Sequence, residues 1–171
     1  LKEHGAYIKF KNIKKVNNEI IGDIIVKSSN LKPLKVSSKY YVSATDEFPI
    51  LFVIAALTSG VSNFKGIEDL ANKESNRIIE MQNIFKQIGI RCKSNKDQMI
   101  IYGTNTLKNN KSIINVPNLG DHRICMSTAI LSLTTGIKSK IKNFETVYTS
   151  SPSFLKTIKL LGGKYEIKKI S

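Results

Sequence analysis

Apolar residues follow two rhythms along this chain. After Arg77, Ile78, Met81, Ile84, Phe85 and Ile88 recur at three- and four-residue spacing, which gives a helix one apolar face. At the start, Tyr7-Ile8-Lys9-Phe10 alternates with a period of two. The apolar pattern resumes over residues 19–26 beyond a turn-like Asn17-Asn18, so the opening predicts a β-hairpin. Met99-Ile100-Ile101-Tyr102-Gly103 is a further strand ending in a turn, and Tyr40-Tyr41-Val42-Ser43 also alternates. Residues 50–57 are an unbroken apolar run, long enough for a buried helix and too short for a bilayer. Ser151-Pro152-Ser153 announces a last helix over residues 154–161, with the proline near its first turn.

The patterns repeat. Leu1-Lys2-Glu3-His4-Gly5-Ala6-Tyr7-Ile8, Phe85-Lys86-Gln87-Ile88-Gly89-Ile90-Arg91 and Leu160-Leu161-Gly162-Gly163-Lys164-Tyr165-Glu166-Ile167 share one order: helix end, glycine, alternating strand. They lie roughly 70 to 85 residues apart, too far for solenoid repeats and suited to whole βαβ-type units. A second pair agrees. Asp46-Glu47-Phe48-Pro49 leads into the apolar run and on to Gly60, and Asp121-His122-Arg123 leads into residues 124–133 and on to Gly136. Both read as an acid-capped buried helix, a glycine stop and a strand. The expected fold class is α/β with repeated helix and sheet layers. The first repeat holds only a helix end and the chain opens without methionine, so the sequence reads as a fragment of a longer protein.

Composition narrows the picture modestly. With 171 residues, 41% of them hydrophobic, one domain with a sizeable core is expected. The net charge of +14 would draw nucleic acid, acidic membrane or phosphorylated metabolites without choosing among them. Its lysines are scattered, as at Lys9, Lys11, Lys14, Lys15, Lys108 and Lys111, which suits a solvated surface better than one binding block. Cys92 and Cys125 form no CxxC and do not cluster with His4 or His122. They read as free thiols in a reducing compartment, with no metal site. No cleavable signal pattern opens the chain, and the cytoplasm is the expected location.

Two polar clusters carry the candidate chemistry. Lys73-Glu74-Ser75-Asn76-Arg77 and Gly120-Asp121-His122-Arg123 each precede an amphipathic run, so each places an arginine and a carboxylate at a helix N-terminus, where anions bind. In the first, the arginine suits a carboxylate, the lysine a phosphate or leaving oxygen, and the glutamate proton transfer; the plainer reading is a polar helix start. Asp46 reads either as a helix cap or as a general base at a strand-to-helix corner. Asp121 has the same two readings, the cap being the favoured one with Arg123 doing the binding, and His122 reads as a hydrogen-bonding group or a surface imidazole. No nucleophile motif, P-loop or GxGxxG is present, which argues against covalent catalysis and nucleotide binding.

In this order and spacing, Asp46-Glu47-Phe48-Pro49-Ile50, Lys73-Glu74-Ser75-Asn76-Arg77-Ile78 and Gly120-Asp121-His122-Arg123-Ile124 resemble the C-terminal portion of the EPSP synthase (3-phosphoshikimate 1-carboxyvinyltransferase) family. The similarity runs over essentially the whole chain, including Ser151-Pro152-Ser153-Phe154. It implies a monomeric, two-domain enzyme more than twice this length, each domain an inverted α/β barrel of repeated βαβαββ units, with this chain most of one domain. The implied activity is transfer of the enolpyruvyl group of phosphoenolpyruvate to the 5-hydroxyl of shikimate 3-phosphate, without a cofactor, in aromatic amino acid biosynthesis. Position by position, Asp46 resembles the carboxylate that holds and deprotonates the 5-hydroxyl. Glu74 resembles the acid and base for the methylene proton, and Lys73 a contact to substrate and departing phosphate. Arg77 and Arg123 resemble the pair that grips phosphoenolpyruvate, with His122 beside them. Without the N-terminal portion, which would supply most other substrate contacts, this chain is expected to be inactive.

Two positions depart from the resemblance. Thr149-Ser150-Ser151 stands where many members have a lysine, and Asp69 stands where an Asn or Glu touching shikimate 3-phosphate is expected. Competing readings are the related transferase acting on UDP-N-acetylglucosamine and a basic α/β nucleic-acid-binding module. Against the latter, the sequence has neither a glycine-loop clamp nor an aromatic platform.

Overall fold

Alternation at the start of the chain becomes a long ribbon in the computed structural model, which describes residues 1–107 and 112–168. Strands β1 (Tyr7–Val16) and β2 (Glu19–Lys27) pair antiparallel, with Tyr7 opposite Lys27 and Val16 opposite Glu19. Asn17 and Asn18 join them with φ of 47° and 67°; two consecutive left-handed residues match the twist of a tight hairpin. A register shift between Lys11 and Lys14 marks a bulge.

A full βαβαββ order follows. It comprises β3 (Lys35–Val36), the short α1 (Tyr41–Ala44) running into α2 (Phe48–Ala56), β4 (Gly60–Lys65), α3 (Arg77–Gln87), β5 (Arg91–Ser94) and β6 (Gln98–Gly103). The four strands form one sheet in the order β3-β4-β6-β5, with β3 parallel to β4 and the other neighbours antiparallel. Then β7 (Ile114–Val116), α4 (His122–Thr135) and β8 (Ser139–Ile141) repeat the parallel βαβ step, followed by α5 (Thr146–Ser150) and α6 (Phe154–Leu160). The kinship expected between the two acid-led segments is therefore spatial: α2 joins β3 to β4 as α4 joins β7 to β8.

Helix α2 is apolar on every side because it is buried on every side, packed against β6, α3 and α4. Its Phe48 and Phe52 meet Phe64 of β4 edge to face; the Phe52 and Phe64 ring centroids are 4.8 Å apart. Helix α3 turns Ile78, Met81, Ile84 and Phe85 inward, as its spacing predicts. Gly103 ends β6 against the end of α2, and a Cβ there would collide with the carbonyl oxygens of Ala55 and Thr58. Gly136 stops α4 with φ of 71°, as expected.

Several expectations are corrected. The alternating Tyr40 to Ser43 stretch is helical: Thr45 Oγ1 donates to the Tyr41 carbonyl at 2.6 Å, and the Tyr41 ring packs 5.6 Å from Phe48. Packing overrides β-propensity here. Helix α2 stops at Ala56, before Gly60: Leu57 N–H donates to Val53 and Thr58 Oγ1 donates to Ile54, while Gly60 opens β4. Residues 164–167 follow a glycine turn as predicted but form no strand, because no described strand lies beside them to pair their backbone groups. Helix α5 had no clear periodic signal. Lys108 and Lys111 lie outside the described residues. Among the described residues no helix is long and apolar enough to cross a membrane, and no three His, Cys, Asp or Glu side chains cluster as metal ligands.

Candidate active site

Two helix starts converge on one buried arginine. Asn76 caps α3, its Oδ1 accepting from Ile79 N–H at 3.1 Å, which leaves Arg77 as the first helical residue. Asp121 caps α4, its Oδ1 accepting from Arg123 N–H at 2.9 Å and Ile124 N–H at 3.3 Å. The other Asp121 oxygen, Oδ2, accepts from Arg77 Nε and from Ser75 Oγ, both at 2.9 Å. The Arg77 side chain is 1% exposed and that of Asp121 0%.

The outer nitrogens of Arg77 each hold a further carboxylate. Nη1 lies 3.1 Å from Asp46 Oδ1, and Nη2 lies 2.7 Å from Glu74 Oε2. Asp46 sits in a 3-10 turn, Thr45–Glu47, ahead of α2, and no side chain caps that helix. The cap reading of Asp46 is thereby corrected: its oxygens are drawn to guanidinium donors instead of the helix N–H groups. Arg123 pairs with the same turn, Nη1 with Glu47 Oε1 at 3.1 Å and Nη2 with Asp46 Oδ2 at 3.4 Å. His122 Nδ1 lies 3.8 Å from Glu74 Oε1, an ion pair only when the imidazole is protonated.

The electrostatics follow from these contacts. The hydrogen bond from Arg77 holds the Asp46 carboxyl below its ordinary 3.8, against a weaker contrary push from burial, with Arg123 and Lys73 adding to it. Burial pushes the Asp121 carboxyl up, but the hydrogen bond and charge of Arg77, with Ser75 and the Ile124 N–H, outweigh it and hold it low. Burial likewise works against the Arg77 charge, and Asp121 and Asp46 overcome it. All three therefore stay ionised at neutral pH. Four carboxylates (Asp46, Glu47, Glu74, Asp121) surround two guanidiniums (Arg77, Arg123). For an anion to join them, a carboxylate must move away, become protonated or be balanced by another cation.

The structure thus brings together Asp46, Glu74, Arg77, His122 and Arg123. Lys73 is exposed beside this group and acts on Asp46 through its charge. Asp69 lies exposed in the 3-10 turn Glu68–Asn72 and makes no side-chain bond; its charge and, chiefly, burial raise the Tyr41 phenol pKa. Where the resemblance expects a lysine, Thr149 Oγ1 donates to the Thr146 carbonyl of its own helix. Sequence reasoning missed Glu47 and Ser75 as members of the cluster and did not foresee that Asp121, favoured as a cap, also holds Arg77. Their partners lie 76, 46 and 44 residues away, beyond any local periodicity. Tyr41 was missed as well; its hydroxyl is buried without a hydrogen-bond partner among the described residues. Next to Arg123 is a concavity of about 180 Å³, lined by Glu47, Ile50, Met126, Ser127 and Phe154 among others. Arg123 Nε is buried and unpartnered among the described residues.

Chemically, one guanidinium fixes two carboxylates at its two outer corners. A reacting centre held between Asp46 and Glu74 would have one carboxylate for an O–H proton and another for a C–H proton, with cationic groups close by.

Residues 3–158 match the family described as EPSP synthase (3-phosphoshikimate 1-carboxyvinyltransferase). A 3-phosphoshikimate 1-carboxyvinyltransferase of Thermoanaerobacter sp. (strain X514) is 38% identical over 161 residues, 94% of this chain and 37% of that protein. The corresponding protein of Zymomonas mobilis is 34% identical over 169 residues, 98% of this chain and 37% of its own length. Among solved structures, an EPSP synthase from Acinetobacter baumannii superposes with a TM-score of 0.82 at 32% identity, over 99% of this chain and 39% of that one. The chain thus spans less than two fifths of the relatives it matches.

Proposed function

The chain belongs to the EPSP synthase family, and from that premise we propose that it supplies one wall of a site that transfers the enolpyruvyl group of phosphoenolpyruvate to the 5-hydroxyl of shikimate 3-phosphate. Its 171 residues would form most of one domain of a two-domain transferase. Supporting this reading above all is the pairing of Asp46 and Glu74 on the two outer nitrogens of buried Arg77.

In this scheme Glu74 carries the proton that goes to the methylene carbon of phosphoenolpyruvate, which builds positive charge at the adjacent carbon. The 5-hydroxyl oxygen attacks that carbon and its proton passes to Asp46, which is ready because Arg77 keeps it ionised. The resulting tetrahedral ketal collapses: the bond to the phosphate oxygen breaks, the departing phosphate takes the proton that Asp46 had accepted, Glu74 takes a methyl proton back, and the C=C bond re-forms in the product. Arg77 and Arg123 hold the carboxylate and phosphate of phosphoenolpyruvate, and Lys73 balances the leaving phosphate. His122, 3.8 Å from Glu74, bears on that carboxylate's charge. No electrons are gained or lost overall.

The test is phosphate release from shikimate 3-phosphate plus phosphoenolpyruvate. It compares the chain alone, the chain supplied with the complementary length carried by its relatives, and that pair with Asp46→Ala. Activity only in the complemented pair, largely lost in the mutant, is expected because half a site orients neither substrate. Folded protein without activity in any arm would overturn the reading.

A further inference from the structure

We propose that Glu47 is a built-in counter-anion of Arg123: it occupies the guanidinium until an anionic substrate replaces it, and so sets the affinity of the site. This rests on the reading of Arg123 as an anion-binding residue, but it concerns a side chain that lies within the Asp46-Glu47-Phe48-Pro49 motif without a role of its own and that the reaction scheme does not use. Glu47 occupies the N-cap position of α2 yet makes no capping bond. Its carboxylate reaches Arg123 Nη1 at 3.1 Å instead. Of the carboxylates on the two arginines it is the most weakly held. Asp121 is wholly buried, with three backbone and side-chain donors besides Arg77. Asp46 bridges both arginines, and Glu74 sits on Arg77 at 2.7 Å. Among the described residues Glu47 pairs with Arg123 alone, and it is 57% exposed, so it can rotate into solvent without stranding a buried charge.

Two further observations point to an incoming acceptor. Arg123 Nε is buried without a partner among the described residues, so the guanidinium still has a donor to offer. The neighbouring concavity is lined by Glu47 and Arg123 together with apolar Ile50, Met126 and Phe154. A small acid with a short carbon skeleton, such as phosphoenolpyruvate, matches that lining. Its anionic group would take over Nη1 as Glu47 leaves, and the cluster would lose one negative charge as it gains the ligand.

Calorimetric titration of phosphoenolpyruvate, and separately of inorganic phosphate, into the full chain tests this. Wild type is compared with Glu47→Gln, Glu47→Ala, Glu47→Gln combined with Arg123→Ala, and Glu19→Gln. The last removes the same charge at the hairpin turn, opposite Val16. Both Glu47 variants are expected to bind phosphoenolpyruvate roughly two- to ten-fold more tightly, the size expected from releasing a largely exposed ion pair. The gain should vanish with Arg123→Ala and be absent in Glu19→Gln. Tightening for inorganic phosphate as well would assign the displacement to any anion; tightening for phosphoenolpyruvate alone would tie it to the carboxylate-bearing ligand. Unchanged, weaker or undetectable binding in folded Glu47→Gln, or an equal gain in Glu19→Gln, would overturn the proposal. Turnover in the complemented assay without tightening loses only the counter-anion. Tightening without turnover loses only the transferase.

Discussion

Asp121 and Arg77 are 44 residues apart in sequence and 2.9 Å apart in space, carboxylate Oδ2 to Nε, both essentially excluded from water. The same aspartate closes the first turn of α4, so one side chain fastens the start of one helix to the first residue of another. That joint sets where Arg77 points and hence where Asp46 and Glu74 stand.

Removing this aspartate should unfold more than it rearranges. Asp121→Ala leaves Arg77 buried beside an unfilled site and strips the cap from α4, and is expected to cost about 3–5 kcal/mol. Asp121→Asn, which can still accept from the helix N–H groups, should cost less. Urea denaturation of both variants checks the order, which fails if Asn is as damaging as Ala.

Acid should destabilise the protein in a defined window. Asp46 and Asp121 have folded-state pKa values below their ordinary 3.8. The unfolded chain then binds more protons than the folded one in this range. Their contribution is fully present above the ordinary value and is lost as pH falls through the lower folded-state values. Melting temperature measured from pH 6 to pH 2 should hold until about pH 4 to 5 and then fall. Asp46→Asn should reduce the steepness of that fall.

At Gly103 the backbone leaves no room for a methyl group. Gly103→Ala drives a Cβ into two carbonyl oxygens at the end of α2, neither of which can rotate away. A loss of about 1–3 kcal/mol or more is expected, readable as a lowered denaturation midpoint.

Neither thiol should be a ready nucleophile. Burial pushes Cys92 up to about 11 and Cys125 up to about 12. Folded protein at pH 8 should react with a disulfide reagent far more slowly than protein in denaturant, Cys125 the slower of the two.

In the complemented turnover assay, Glu74→Gln should lower kcat by roughly a hundred- to ten-thousand-fold with a smaller change in KM, since it removes a proton carrier. Arg123→Lys should act chiefly on the KM for phosphoenolpyruvate, because an ammonium lacks the planar two-pronged grip. A Glu74→Gln enzyme with unchanged kcat would remove that residue from proton transfer.

Legibility varied along the chain for physical reasons. The hairpin could be read because alternation and an asparagine pair are local signals, and α3 because its apolar spacing is local too. Tyr40 to Ser43 misled because alternation over four residues carries less weight than one aromatic contact between Tyr41 and Phe48. Residues 164–167 misled because a strand needs a neighbour, which no local pattern supplies.

The candidate site divides in the same way. The family resemblance, carried by motifs that keep their identity in the unfolded string, grouped Asp46, Lys73, Glu74, Arg77, His122 and Arg123 as one expected site. The sequence also placed a helix start after each polar cluster, with Asp121 the favoured cap of the second, because a cap reaches only two or three residues along the chain, while the Asn76 cap of α3 came from the structure. Only the tertiary structure decided that Asp46 leaves its own helix for Arg77, that Asp121 ties the two arginine-bearing helices together, and that Glu47 lies across Arg123. Those pairings form between segments brought together by burial of α2, α3 and α4, and a charged group placed there takes the partner that the packed core presents, however distant in sequence.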